Sequence, residues 1–434
     1  MLSLQSLFGE DAAILRERDF RLLLLANVLP VLGSSLLSPV LNSLIEPFGT
    51  SPADVGLMIS VFTAPGIVII PITGVLADRY GRKPVLVAAL VVFGLAGSAI
   101  AFTTEFRVAL GLRLLQGVGF AGISPIIITS IGDLYAGARE ATGQGLRFTV
   151  SGLSATVFPP ISGALVVVAW QYPFLLYAMA LPVAAAVYLW FDEPTPPDAT
   201  DADGTAGATD TTGKTGMTGA RSYVRTLFRL VRRPRVLAMV LARGLPNVIW
   251  IGFVTYNSLI TVRLMDGTPA QAGLLVAVGS LVFAIAGSQA GRITAVFESR
   301  LYPLVGANVC LGLGFAVVLF APGIAAATGG IAVAGIGFGL TLSLYRSIIT
   351  GLAPDDLRAG LVSIAEAWGR LTNTLTPIAM GWIIAVATPR VGFASALQLA
   401  GVGVAAVGAI GGVLCLLVAN AAPPVPARAE APGD

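Results

Sequence analysis

The sequence predicts an all-α membrane protein, with twelve transmembrane helices in two pseudo-symmetric six-helix bundles. Three observations carry that prediction. Of the 434 residues, 56% are hydrophobic and only 11% charged, whereas a water-soluble domain carries about 25% charged residues. The apolar residues fall in runs that reach the roughly 20 residues a helix needs to cross a bilayer. The second half of the chain repeats landmarks of the first in register.

The same composition excludes other classes. A net charge of +3 is too small to argue for a nucleic-acid partner. Cys310 and Cys415 lie within apolar runs, where cysteine behaves as a small apolar residue, so no disulfide is expected. The chain has no histidine, which excludes a histidine proton relay and a histidine-rich metal site. No cofactor and no enzymatic nucleophile with its base is expected.

Residues 1–20 mix Glu10, Asp11, Arg16, Glu17 and Arg18. A cleavable signal peptide has a basic start and then a short uninterrupted apolar core, so this stretch reads as a cytoplasmic segment. The spans fall near 21–45, 54–76, 84–103, 108–133, 141–166 and 172–191, then 237–262, 269–291, 301–321, 326–350, 359–387 and 391–419. The first six form a bundle over 21–191 and the last six a bundle over 237–420, with a cytoplasmic tail at 421–434.

An even number of spans puts both termini on one side. Arg16, Arg18, Arg79, Arg82, Lys83, Arg139, Arg292, Arg300 and Arg358 fall at or near that side, against Arg107, Arg263 and Arg390 on the other. Basic loops stay in the cytoplasm, so both termini are expected there, on a multi-pass protein of the cytoplasmic membrane.

The linker, 192–236, has two parts. Residues 192–220 are rich in Asp, Thr, Gly, Ala and Pro, a composition that cannot bury a core. Residues 221–235 follow, with Tyr223, Leu227, Leu230 and Val231 on one helical face and Arg225, Arg229 and Arg232 largely off it. That pattern predicts an amphipathic basic helix on the inner leaflet, with anionic lipid as its partner.

The halves repeat. Ala26-Asn27-Val28-Leu29-Pro30 recurs as Ala242-Arg243-Gly244-Leu245-Pro246, Gly117-Val118-Gly119-Phe120 as Gly335-Ile336-Gly337-Phe338, and the pair Pro159 and Gly163 as Pro377 and Gly381. Two equivalent bundles around a central site is how many secondary transporters are built.

Charges inside the membrane mark that site. Arg113, Arg147, Arg243, Glu366 and Arg370 lie well within spans, and Arg346 lies near the inner end of span ten. Facing lipid would cost such groups several kcal/mol. None falls on spans three, six, nine or twelve, which should therefore face lipid while the other eight enclose a hydrated cavity. Steps of three and four residues align Asn27, Ser34, Ser38 and Asn42 on span one, and Arg113, Gln116, Phe120 and Ser124 on span four. They likewise align Arg243, Asn247, Trp250 and Asn257 on span seven, and Ser363, Glu366, Arg370, Asn373, Pro377 and Gly381 on span eleven. From these stripes Asn27, Arg113, Gln116, Arg243, Asn247, Trp250, Asn257, Glu366, Arg370 and Asn373 are assigned to a substrate and proton pathway. The serines fit helix-to-helix contacts equally well.

Glu366 is the one acid well within a span. An acid whose surroundings change between two states can carry a proton. Alternatively, Glu366 and Arg370, four apart, form a permanent neutral pair.

Between spans two and three, Gly74-Val75-Leu76-Ala77-Asp78-Arg79-Tyr80-Gly81-Arg82-Lys83 is too charged for the bilayer interior. It predicts a tight surface turn in which Gly74 and Gly81 supply unusual backbone angles and Asp78 pairs with Arg82. Asp133, at the end of span four, reaches the same surface. The cluster of Asp78, Arg82 and Asp133 is expected to clamp the two halves while the protein faces outward and to break when it opens inward.

This string resembles the signature G-x-L-x-D-R-x-G-R-K of the major facilitator superfamily. Arg113-Leu114-Leu115-Gln116-Gly117-Val118-Gly119 resembles its fourth-span motif R-x-x-Q-G-x-G, which implies a part in proton coupling for Arg113. Phe158-Pro159-Pro160-Ile161-Ser162-Gly163 is similar to a degraded antiporter motif G-P-x-x-G-G, with Phe158 and Ser162 replacing two glycines. Pro159, Gly163, Pro377 and Gly381 should bend their helices and admit a neighbour.

The resemblance implies a major facilitator fold working by alternating access, with a small-molecule substrate and protons as partners, acting as a monomer. It favours proton-coupled efflux, with import of a small, anionic metabolite by symport or uniport as the alternative. The rival of a different class is a membrane sensor that has lost transport. Arg113, Arg243 and Arg370 favour an anionic substrate where they are not internally paired.

Overall fold

The computed structural model describes residues 10–193, 216–297 and 299–423. Among the described residues twelve helices are long and apolar enough to cross a membrane: Arg18–Leu44, Leu57–Tyr80, Arg82–Phe102, Phe106–Leu134, Gly137–Val168, Tyr172–Trp190, Pro234–Leu264, Pro269–Ser288, Leu301–Phe320, Ile324–Leu352, Gly360–Val391 and Phe393–Ala421. No strand occurs among the described residues. In lipid a backbone must satisfy its own hydrogen bonds, and these apolar runs do so as helices.

Spans three, six, nine and twelve make their substantial contacts only within their own half. Small residues let the inner helices touch backbone to backbone, as membrane packing favours. The repeat is visible here: Gly117 abuts the backbone of Phe62 on span two, and Gly335 that of Gly279 on span eight. Gly119 abuts Ala89 and Phe93 on span three, and Gly337 abuts Ala307 and Leu311 on span nine.

The bundles meet on the face remote from the termini. Gly163 of span five sits against the backbone of Pro269, and Gly273 of span eight against that of Pro159 and Pro160. The Ser258 hydroxyl donates to the Pro39 carbonyl at 2.8 Å, and Arg263 Nε donates to Asn42 Oδ1 at 2.7 Å. Gly381 lies against the Ala53 carbonyl, beside the Tyr256 hydroxyl. Deeper in, the hydroxyls of Thr63 and Thr374 join spans two and eleven at 3.1 Å. The cleft between the halves therefore opens toward the face that carries the termini.

Two expectations need correction, those for Gly74 and for the basic helix. Span two stays helical through Asp78 and Arg79 to Tyr80, so Gly74 is a helical residue with open space around it and no turn. Gly81 alone makes the turn, at φ 94°. Pro159 and Pro377 sit inside their helices, and Gly163 and Gly381 admit a neighbour of the other half, Pro269 and Ala53. The basic helix, Gly216–Val231, turns Leu227 and Leu230 onto the protein, against Val236, Leu357 and Leu361, in place of lipid. Phe228 and the arginines Arg225 and Arg229 point outward from it.

Candidate functional site

Arg370 of span eleven reaches out of its own half. Its guanidinium lies by Gly66 of span two and walls a cavity of about 340 Å³ with Ile70, Phe120, Ser124 and Thr129 of spans two and four. No described residue forms a hydrogen bond or ion pair with the Arg370 side chain. The ring of Phe120 is backed by Phe62, centroid to centroid 4.8 Å. The cavity thus offers one cation, two hydroxyls and an aromatic wall, each half supplying part of it. A pocket of that size, apolar with a few placed polar groups, suits a small organic molecule.

One turn toward the termini face, Glu366 pairs with Arg243 of span seven, Nη2 to Oε1 3.0 Å. The alternative ion pair between Glu366 and Arg370 is not made, although Arg370 feels the charge of Glu366; the closer partner lies on another span, where sequence spacing gives no signal. Arg243 is buried, and its Nη1 has no hydrogen-bond partner. Asn247 donates to the Gly369 carbonyl at 3.4 Å and Trp368 Nε1 to the Leu241 carbonyl at 3.1 Å, tying spans seven and eleven around this pair. Asn373 is half-buried one turn beyond Arg370. Nearer the mouth of the cleft, Arg147 of span five feels the repulsion of Arg346 on span ten. Neither has an acidic partner among the described residues.

Other assigned residues lie inside a bundle, away from the cavity. Arg113 is fully buried. It donates to the carbonyls of Gly33 and Met58 at 2.8 and 3.1 Å, and to Gln116 Oε1 at 2.6 Å. It also stacks over Phe62 at 4.4 Å. It is a hub for spans one, two and four, and no solute reaches it in this conformation. Gln116 is equally buried. Asn27 donates to the Arg147 carbonyl and to Ser151, and Asn257 to the Ala272 carbonyl. Trp250 stacks on Phe338 at 4.7 Å within the second half. Residue type marked all of these as polar or aromatic within a span; which neighbour they satisfy depends on carbonyls, which no residue type announces.

At the termini face, Arg82 bridges Asp78 at 2.5 Å and Asp133 at 3.0 Å. The expected cluster exists, but it does not join the two halves. All three residues belong to spans two, three and four of one half, so movement between the halves leaves their spacing unchanged. Glu193, which the sequence reading passed over, completes the group: its carboxylate accepts from the backbone N–H of Arg82 and Lys83. It caps the start of span three, where free N–H groups favour an anion. Arg79 stacks on Tyr80, and the Lys83 ammonium lies over Tyr188. Among the described residues no group of His, Cys, Asp or Glu could hold a metal ion.

Comparison with known proteins extends this picture. A family model described as Major Facilitator Superfamily matches residues 23–371. A bacillibactin exporter of Bacillus subtilis is 38% identical over 150 residues, which are 33% of this chain and 37% of that one. The quinolone resistance protein NorA of Staphylococcus aureus is 26% identical over 156 residues, 36% of this chain and 40% of that one. The matched stretches thus span well under half of either relative. A bacterial homologue of the human lysosomal transporter Spinster, in an inward-facing and unoccupied conformation, superposes with a TM-score of 0.77 over 93% of this chain and 97% of its own, at 17% identity.

Proposed function

Because the chain belongs to the major facilitator superfamily, we propose that it is a secondary transporter that exports a small aromatic anion from the cytoplasm in exchange for protons. The observation that carries this reading is Arg370, a cation with no hydrogen bond or ion pair among the described residues, held in a cavity of about 340 Å³ against Phe120, Ser124 and Thr129. A carboxylate or phenolate would satisfy the guanidinium, and its ring would lie against the phenyl wall. Partial similarity to two exporters supports the outward direction.

The basic loops support a cytoplasmic termini face, so the conformation described is open inward and closed outward. In that state substrate enters from the cytoplasm to Arg370. Glu366 and Arg243 are the coupling pair: a proton arriving on Glu366 frees Arg243, and its departure restores the pair. The two halves then rock about the cavity.

The test uses everted membrane vesicles from cells expressing the protein. Acidifying the lumen should drive accumulation of radiolabelled salicylate, a protonophore should abolish it, and neutral salicylamide should not accumulate. Arg370→Gln should remove the preference for the anion. Equal handling of salicylate and salicylamide, or accumulation indifferent to the protonophore, would refute the reading.

A further inference from the structure

A second basic cavity lies away from the cleft. It has a volume of about 360 Å³ and sits among the termini-face ends of spans seven, nine, ten and twelve. Its polar rim includes Arg235, at the start of span seven, Arg300, just before span nine, and Ser347 of span ten. Its apolar wall includes Met239, Leu304 and Leu416. Among the described residues no acidic side chain lines it. Arg300 Nη1 donates to the Ser347 hydroxyl at 3.1 Å, which turns the guanidinium across the opening. Arg235 has no hydrogen-bond or ion-pair partner among the described residues.

We propose that this cavity binds the phosphate group of an anionic phospholipid. Depth is the first argument. Every lining residue belongs to the first or last turns of a span or to the loop before one, the level at which headgroups lie. Access is the second. Spans nine and twelve are lipid-facing, so the cavity borders the bilayer and not the transport cleft. Chemistry is the third. Two guanidinium forks match phosphate oxygens, and basic pockets between spans on the cytoplasmic side suit acidic headgroups. The apolar wall accepts the glycerol and the first methylenes, which an inorganic anion lacks. The site is distinct from the basic helix, whose arginines Arg225 and Arg229 face outward elsewhere.

The test measures thermal unfolding and native mass spectra of the full chain in detergent, with added phosphatidylglycerol, phosphatidylcholine or sodium phosphate. Phosphatidylglycerol should raise the midpoint and remain bound, and phosphatidylcholine should do neither. The double variant R235Q/R300Q should bind phosphatidylglycerol about tenfold more weakly, as loss of charge-assisted hydrogen bonds implies. R235K/R300K should retain part of the effect, which separates lost charge from lost folding. R225Q/R229Q should behave as wild type. Displacement of the lipid by millimolar phosphate, abolished in R235Q/R300Q, would support the anion site and make soluble phosphate a source. Wild-type affinity in R235Q/R300Q, or equal binding of phosphatidylcholine, would overturn the proposal. The transport reading does not depend on either result.

Discussion

Replacing Glu366 by Gln and, separately, Arg243 by Gln removes the same ion pair from opposite sides, and the structure predicts unequal costs. At 3.0 Å the attraction is about 1.4 kcal/mol in water and about 5.5 kcal/mol at the effective dielectric of a partly buried site. The Arg243 side chain is 6% exposed and that of Glu366 is 38% exposed. Without the carboxylate, Arg243 stays buried as an uncompensated cation whose Nη1 already lacks a partner. Breaking a fully buried pair costs about 3–5 kcal/mol. The hydration of Glu366 discounts that figure, giving about 2–3 kcal/mol for Glu366→Gln. Without Arg243, Glu366 turns to the water of the cleft, so Arg243→Gln should cost only about 1 kcal/mol. Unfolding by SDS titration in mixed micelles measures both. The double variant should cost less than the sum, since the two share one contact. In everted vesicles Glu366→Gln should keep salicylate counterflow and lose its dependence on the proton gradient. Equal costs for the two single variants, or a larger cost for Arg243→Gln, would refute the assignment of the buried partner.

Four further outcomes follow from the geometry. Gly273→Val places a side chain about where the backbone of Pro159 and Pro160 lies, 2.7 Å from an added Cβ. Overpacking of about 1–3 kcal/mol should shift the outer closure about tenfold or more toward open, and spin labels across that face should move apart. Arg346→Glu turns repulsion of Arg147 into attraction worth up to about 1 kcal/mol, and a cysteine placed in the cleft mouth should then react several-fold more slowly with a water-soluble maleimide. Gly81→Ala forces a side chain into φ 94°, with its Cβ 2.9 Å from the Glu193 carboxylate, and should cost about 1–3 kcal/mol; Gly74→Ala, helical and in open space, should be neutral or stabilise by up to about 1 kcal/mol, both read by SDS titration. Burial and then its hydrogen bond to Glu17 hold the Tyr135 phenol above its ordinary pKa, so its stabilisation is complete below about pH 10 and is lost as pH rises through the higher folded value; Tyr135→Phe should flatten the alkaline limb of stability against pH.

The spans were legible because the bilayer imposes a length and a polarity on each one, and a run of apolar residues records both. The end of span two was not, because hydropathy stops at the hydrocarbon boundary while helical hydrogen bonding continues through Asp78, Arg79 and Tyr80. Span spacing also carried Asp78, Arg82 and Asp133 to one surface, where the structure joins them. It did not reveal that they brace a single half. Arg113 stood out as a charge in a span, but its acceptors are backbone carbonyls of Gly33 and Met58, and every residue has one of those. Glu366 had an arginine at helical spacing and chose one on another span. Glu193 was hidden by the start of the polar linker, although an acid directly after span six, on the face of the basic loop, was its available signal.

The two halves divide the work unequally. In the first, Arg113 is satisfied by carbonyls and Arg82 by two carboxylates, so these two charges are fixed whatever the second half does, whereas Arg147 feels a charge of the other half, that of Arg346. In the second, the Arg370 side chain has no hydrogen bond or ion pair among the described residues, and Glu366, though paired with Arg243, is 38% exposed, so these charges can respond to a solute or a proton. The closed face between them is built mainly from groups that separate without leaving a charge stranded. Glycines 163, 273 and 381 meet backbone, and hydroxyls of Ser258 and Tyr256 meet carbonyls. When that face opens, water replaces each of those contacts at little cost, because a hydrogen bond to water takes the place of one to protein. The balance between open and closed is then set by the groups that cannot rehydrate so cheaply, the buried Arg243 and the guanidinium of Arg370. In the proposed transport cycle substrate and proton act on these two, so small ligands would suffice to move whole bundles.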